Sequence, residues 1–100
     1  MPERCQLVKY GRTYEGKDLQ YLVITSKENL KRIEAIRQRN LALADSRATS
    51  VQRADEIAAS APAVVWLAYC VHGNEASPSD AAILTAYHLL ADRSRATAEL

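Results

Sequence analysis

The sequence predicts an α/β domain, a partial mixed β-sheet flanked by helices, and three observations carry that reading. Two short β-compatible runs lie on either side of a glycine-bounded loop near the start of the chain. Two stretches with apolar residues at helical spacing follow. An unbroken apolar run then leads straight into a well-marked helix start. Strand, strand, helix, helix, strand, helix is an α/β order.

The first run is Cys5 to Tyr10 and the second is Asp18 to Thr25, which contains Leu19, Tyr21, Leu22, Val23 and Ile24. Gly11-Arg12-Thr13-Tyr14-Glu15-Gly16-Lys17 joins them, so the pair reads as a hairpin with a longer loop. Thr25-Ser26-Lys27-Glu28 has the form of a capping box. Beyond it Leu30, Ile33, Ile36, Leu41 and Ala44 share one helical face, and Asp45-Ser46 ends that helix. A second helix carries Val51, Ala54, Ile57, Ala58 and Ala61 on one stripe, with Arg47, Gln52, Arg53, Asp55 and Glu56 off it, and Pro62 stops it.

Ala63 to Val71 shows no alternation of polar and apolar residues. A short apolar run rich in β-branched and aromatic residues suits a strand covered on both faces. Val64 to Cys70 is therefore expected as a largely buried strand. Ser77 is expected as the N-cap of the next helix, with Pro78 in its first turn and Asp80 close behind. Ile83, Leu84, Tyr87 and Leu90 form the expected apolar face of that helix.

Composition narrows the functional classes. One hundred residues suffice for one small domain, and 48% apolar with 25% charged residues is a globular balance. The formal net charge is +1, and basic residues are interleaved with acidic ones, so no nucleic-acid-binding face is expected. Cys5 and Cys70 make no disulfide framework, and Cys70, within the most apolar run, is expected as a buried free thiol. The longest apolar run, Ala61 to Val71, is too short to span a bilayer. Met1 is followed by Pro2, Glu3 and Arg4, without the apolar segment of a signal peptide.

Chemistry is concentrated where the apolar run ends. In open α/β sheets, sites form at the carboxyl ends of strands. His72 and Glu75 stand there, three residues apart, with Gly73 allowing a tight turn between them. An imidazole and a carboxylate on one turn can share a metal ion, and both are good zinc ligands. By spacing alone the pair is weak evidence for a metal site, and the plainer reading is a loop histidine and a glutamate that stabilises a helix N-terminus. In an extended strand Cys70 would share a face with His72, which brings a thiol toward the same place.

Two motifs together carry a resemblance. Gly11-Arg12-Thr13-Tyr14-Glu15-Gly16-Lys17-Asp18-Leu19 resembles a hairpin signature of the M14, carboxypeptidase A-like zinc carboxypeptidases. Pro62-Ala63-Val64-Val65-Trp66-Leu67, followed by Val71-His72-Gly73-Asn74-Glu75, resembles that family's strand and first zinc motif. Ala82 to Leu90 is similar to the helix behind it. The resemblance covers most of the chain, in the family's order. It implies that residues 1–100 are the N-terminal part of the catalytic domain, which in the family continues beyond Leu100. It further implies Zn2+ as cofactor, a peptide or protein substrate, and hydrolysis of C-terminal peptide bonds.

By the same resemblance His72 and Glu75 are the first two zinc ligands, while the third, a histidine, the general-base glutamate and the arginine for the substrate carboxylate lie downstream. No catalytic residue is thus assigned within this stretch, which on its own is expected to be inactive. His88 belongs to the helix pattern and is no substitute for the missing ligand. Thr13 and Lys17 are mild departures from the signature. Asn74 stands where many members carry arginine, so no subsite contact is carried over to it. The two helices from Glu28 to Ala61 are longer than the corresponding connection in digestive members and look like an insertion. Arg12 and Glu15 are expected to pin the hairpin rather than to act in catalysis. Two other readings remain open: a non-catalytic α/β binding or scaffold domain derived from this fold, and a free-standing interaction protein.

Overall fold

The computed structural model describes residues 3–98. Their order is β1 (Cys5–Arg12), β2 (Asp18–Ile24), α1 (Lys27–Lys31), α2 (Ile33–Ala44), α3 (Val51–Ser60), α4 (Ser77–Ala91) and α5 (Arg95–Ala98). The class is α/β, as the element pattern predicts. The described residues fall into two compact units: residues 3–26 with 67–98, and residues 27–66.

The first unit begins with the hairpin. β1 and β2 pair antiparallel, with Cys5 opposite Ile24 and Arg12 opposite Asp18. The ladder runs two residues further than Tyr10, because a bulge between Lys9 and Gly11 absorbs Tyr10 and lets Gly11 meet Leu19. The loop shrinks accordingly to Tyr14-Glu15-Gly16. It is closed by the Thr13 N–H donating to the Lys17 carbonyl at 2.8 Å and the Gly16 N–H donating to the Thr13 carbonyl at 2.9 Å. Gly16 has φ 78°, the left-handed position that a three-residue hairpin loop demands and that glycine takes without steric cost. Arg12 and Glu15 do hold the hairpin, but with separate partners. Arg12 Nε donates to Asp18 at 3.0 Å, and Glu15 faces Lys17 at 3.2 Å. β2 alternates exposed and half-buried residues along Asp18 to Val23, with Leu19, Tyr21 and Val23 inward. α4 lies against β2.

α4 starts differently from the expectation. Ala76 occupies the cap position and is already helical (φ −75°, ψ −38°), so Ser77 is the first helical residue and makes no cap. A side-chain cap needs extended backbone at the cap residue, which this start does not provide. The Ser79 N–H instead bonds the Ala76 carbonyl. The helix packs through Ala82, Thr85, Ala86, Leu89 and Leu90, all half-buried. Ile83, Leu84 and Tyr87, expected inside, are exposed. At the far end lies α5, a short helix the sequence reading does not contain; the Ser94 hydroxyl caps it, accepting from the Thr97 N–H at 3.3 Å, and Asp92 braces that cap. Its carboxylate accepts from Thr97 Oγ1 at 2.6 Å and from the backbone and hydroxyl of Ser94 at 2.9 and 2.7 Å.

Those bonds, Thr97's first, hold the Asp92 carboxyl far below the ordinary carboxylate range. A depressed folded-state value contributes stability above the unfolded value, about 3.9, and loses it as pH falls toward the folded one. We expect amide-exchange protection at Ser94 and Thr97 to be constant from neutral pH down to about 4 and to fall only below it. Asp92→Asn should leave these amides weakly protected at every pH.

The second unit is helical. α1 and α2 are separated at Arg32, whose guanidinium folds back onto Asn29 Oδ1 at 2.9 Å. This break rotates the apolar stripe. Ile33 is half-buried and Ile36 buried as expected, but Leu41 and Ala44 are exposed, and Arg39 and Asn40 take the inner positions. Arg39 reaches α3, donating to the Ile57 carbonyl at 3.4 Å and to Ser60 Oγ. On α3 the packed stripe is Ala54 and Ile57, continued by Ala61 just past its end, while Val51 and Ala58 are exposed. Ile36 and Ile57, at 7% and 2% exposure, are the buried apolar side chains among the described residues. Glu34 is held down to about 2 by hydrogen bonds from Arg37 and then Gln38 on the open face of α2.

Ser50 caps α3, its hydroxyl accepting from the Arg53 N–H at 3.2 Å. Ser50→Ala is expected to cost about 1 kcal/mol in chemical unfolding of the intact domain. α3 ends at Ser60 because Ala61 must adopt extended backbone before Pro62, and it does (φ −87°, ψ 144°).

The largest departure is the third strand. Val64 to Cys70 joins no ladder, and the expected mixed sheet is, among the described residues, one antiparallel hairpin. All of Ala63 to Val71 is exposed, with Val65 at 78% and Trp66 at 70%. Cys70, expected buried, is exposed too. The physical reason is a lack of neighbours. A doubly covered strand requires partners at its edges and layers on both faces, and β1 and β2 are paired with each other.

Candidate functional site

The turn that follows the apolar run lies in the first unit, between residues 69 and 77. Cys70 has φ 60°, an uncommon left-handed conformation for a residue with a Cβ, and this takes the chain out of its extended course. A tight turn follows. The Glu75 N–H bonds the His72 carbonyl at 3.2 Å, and α4 begins two residues later. Gly73 and Asn74 occupy the centre of the turn.

This geometry brings the two predicted residues together. His72 Nδ1 lies 3.1 Å from Glu75 Oε1. Both side chains are open to solvent, at 70% and 51% exposure. Two ligands at about 2.1 Å from a tetrahedral zinc ion stand about 3.4 Å apart. The observed separation is therefore close to what a shared ion requires, and the donor set, one imidazole nitrogen and one carboxylate, suits zinc. Among the described residues no third His, Cys, Asp or Glu joins them to make a group that could hold a metal ion.

Cys70 does not fill that role. Its Sγ lies 3.0 Å from Ser79 Oγ in the first turn of α4, because the left-handed backbone at Cys70 removes the shared strand face that would have aimed it beside His72. His88 is also apart from the site. It is exposed on α4, with Nε2 3.6 Å from Asp92 one turn on. Tyr69 Oη donates to Thr85 Oγ1 at 3.0 Å, a second attachment of the apolar run to α4. Neither attachment was legible in the sequence, since each joins residues whose only mark there is a hydroxyl or thiol beside apolar neighbours.

Fold and turn define an α/β chain with a His-x-x-Glu turn ahead of a helix, a donor pair suited to a divalent metal. The family described as zinc carboxypeptidase, the M14 peptidases, matches residues 1–100, and the chain belongs to that family. At the level of the family this means a hydrolase of the peptidase type that uses zinc in the intact domain. Among curated proteins and solved structures, neither comparison returns a match. No helix among the described residues is long and apolar enough to cross a membrane.

Proposed function

We propose that this chain supplies the first two zinc ligands, His72 and Glu75, of a metallocarboxypeptidase that removes residues from the C-terminus of peptides or proteins. The observation that carries the reading is the 3.1 Å approach of His72 Nδ1 to Glu75 Oε1 on one turn ahead of α4. Membership in the zinc carboxypeptidase family supports it.

When bound, zinc supplies Lewis acidity toward water and the scissile carbonyl. The residues here have a simpler task. His72 must offer an unprotonated Nδ1, which leaves its proton on Nε2. Glu75 must be ionised, and its carboxylate offsets part of the positive charge. Metal binding thus removes any proton shared between Nδ1 and Oε1. The third ligand, the general base and the group that receives the substrate carboxylate are assigned, by the family resemblance, to sequence outside residues 1–100. The domain then extends beyond this stretch. The exposed apolar run 63–71 supports that reading, because its composition is that of a covered strand.

The test is direct. Purified residues 1–100 should release no C-terminal amino acids from peptides at a useful rate, whereas the intact domain should do so and lose the activity to a chelator. Steady chelator-sensitive release by residues 1–100 alone would refute the division of the site. An intact domain that binds zinc at no site and cleaves nothing would instead favour a non-catalytic binding or scaffold role for the same fold.

A further inference from the structure

The hairpin of the first unit turns over at Tyr14-Glu15-Gly16, and the packing of β2 on α4 decides which end of that unit this tip occupies. At the open end of the hairpin the Thr25 N–H donates to the Arg4 carbonyl at 3.0 Å. The Arg4 guanidinium donates in turn to the Leu89 carbonyl at 3.5 Å, so the open end lies at the C-terminal end of α4. Half-buried residues run from Leu19 to Ile24 along β2 and from Pro78 to Ala91 along α4. Seven residues of strand and 15 of helix both span about 22–23 Å. The helix therefore runs alongside β2 for its whole length, with its N-terminal end at the closed end of the hairpin. His72 and Glu75 stand on the turn that leads into that N-terminal end. The tip and the metal pair thus share one end of the unit. This placement follows from the ladder, the helix and the Arg4 bond, so it holds however the run 63–71 is covered.

The tip is stiff and carries an aromatic ring. The Lys17 N–H donates to Thr13 Oγ1 at 3.0 Å, in addition to the two backbone bonds that close the loop. Tyr14 stands fully exposed at its crest. A large ring on a preformed loop gains contact area with little further loss of chain entropy, and tyrosine is enriched in recognition surfaces. A carboxypeptidase cuts behind the last residue of its substrate, so all of the chain before that residue extends outward from the metal. We propose that Tyr14, on the hairpin tip, is a contact residue for the peptide substrate upstream of the scissile bond. The proposal rests on the zinc reading of the His72–Glu75 turn. Layers packed face to face stand about 10 Å apart, an intervening strand adds about 4.8 Å, and an extended peptide rises about 3.3 Å per residue. A substrate with one residue upstream of the scissile bond does not reach Tyr14, whereas one with four or more does.

The experiment uses the intact domain. kcat/KM is measured on a blocked dipeptide and on a blocked hexapeptide that share their two C-terminal residues. Affinity of the zinc-free protein for a labelled hexapeptide is measured by fluorescence anisotropy. Selectivity is the hexapeptide kcat/KM divided by the dipeptide value. We expect Tyr14→Ala to lower selectivity about 10-fold, chiefly through KM, and to weaken hexapeptide binding to the zinc-free protein by a similar factor. Tyr14→Phe keeps the ring and should stay near the parent in both measurements. If Tyr14→Ala leaves selectivity and peptide affinity within twofold of the parent while His72→Ala binds no zinc, the contact is wrong and the zinc reading stands. Equal losses on both substrates, with a lowered melting temperature, would make Tyr14 a structural residue of the intact domain and would likewise overturn the contact. If His72→Ala binds zinc like the parent, the zinc reading itself falls.

Discussion

Replacing His72 by alanine in the intact domain is expected to abolish stoichiometric zinc and to lower kcat/KM by about 10³-fold or more. The number follows from the chemistry lost. Lewis-acid stabilisation of developing charge amounts to several kcal/mol, and each 1.36 kcal/mol is a factor of ten in rate. Glu75→Gln should act in the same direction. It keeps size and an oxygen donor but removes the anionic charge that a dication favours. Glu75→Asp shortens the side chain by one methylene. It should bind zinc more weakly than the parent because its carboxylate reaches less far, and better than Glu75→Gln because it keeps the anionic charge; the backbone bond from residue 75 to the His72 carbonyl closes the turn in both variants. Zinc analysis of the purified variants, together with kcat/KM on a C-terminally blocked and an unblocked peptide, reads out both quantities. Activity in His72→Ala within tenfold of the parent would show that the pair on this turn is not the metal site. His88→Ala serves as the control. His88 sits on α4 paired with Asp92, and its loss should leave zinc content unchanged.

How much of this was legible in the sequence depends on whether the determining forces are local. The hairpin was, because Gly11 and Gly16 bracket a loop between two β-compatible runs and Gly16 is needed at positive φ. The end of α3 was also legible, because Pro62 dictates the backbone of Ala61. The pairing of His72 with Glu75 followed from a glycine-containing turn ahead of a helix. The bulge at Tyr10 was not legible, nor was the break at Arg32 that turns Leu41 outward, since both depend on register between elements. α5 was missed because it is a single turn whose cap, the Ser94 hydroxyl, is braced by the side chain of Asp92 set back from the helix. The third strand failed for a different reason. Its composition states what it needs on either side, and composition cannot supply those neighbours.

Residues 1–100 expressed alone are expected to associate in a concentration-dependent way and to unfold without a single sharp transition. The described residues bury two apolar side chains, Ile36 and Ile57, both in the helical unit. Against that stand an exposed run of Val64, Val65, Trp66 and Leu67 and, on α4, exposed Ile83, Leu84 and Tyr87. An extended apolar segment with high β-propensity, little charge and no proline within it is a template for pairing between chains. The helices cannot remedy this, because a helix covers a sheet face but does not complete a ladder. A double substitution separates the possibilities. Val65 and Leu67 are two residues apart, so in an extended segment they point the same way. Val65→Lys with Leu67→Lys puts two charges on that face. In residues 1–100 the change should suppress association, since it disrupts the pairing template at little cost to an already solvated segment. In the intact domain, where the proposal has this run covered on both faces, the same change should destabilise the fold by at least about 4 kcal/mol, because an ionised lysine is buried without a partner. Sedimentation of residues 1–100 and denaturant unfolding of the intact domain measure the two effects. A monomer with one sharp transition, indifferent to the lysines, would contradict the assignment of this run to a larger sheet and would favour a free-standing interaction protein.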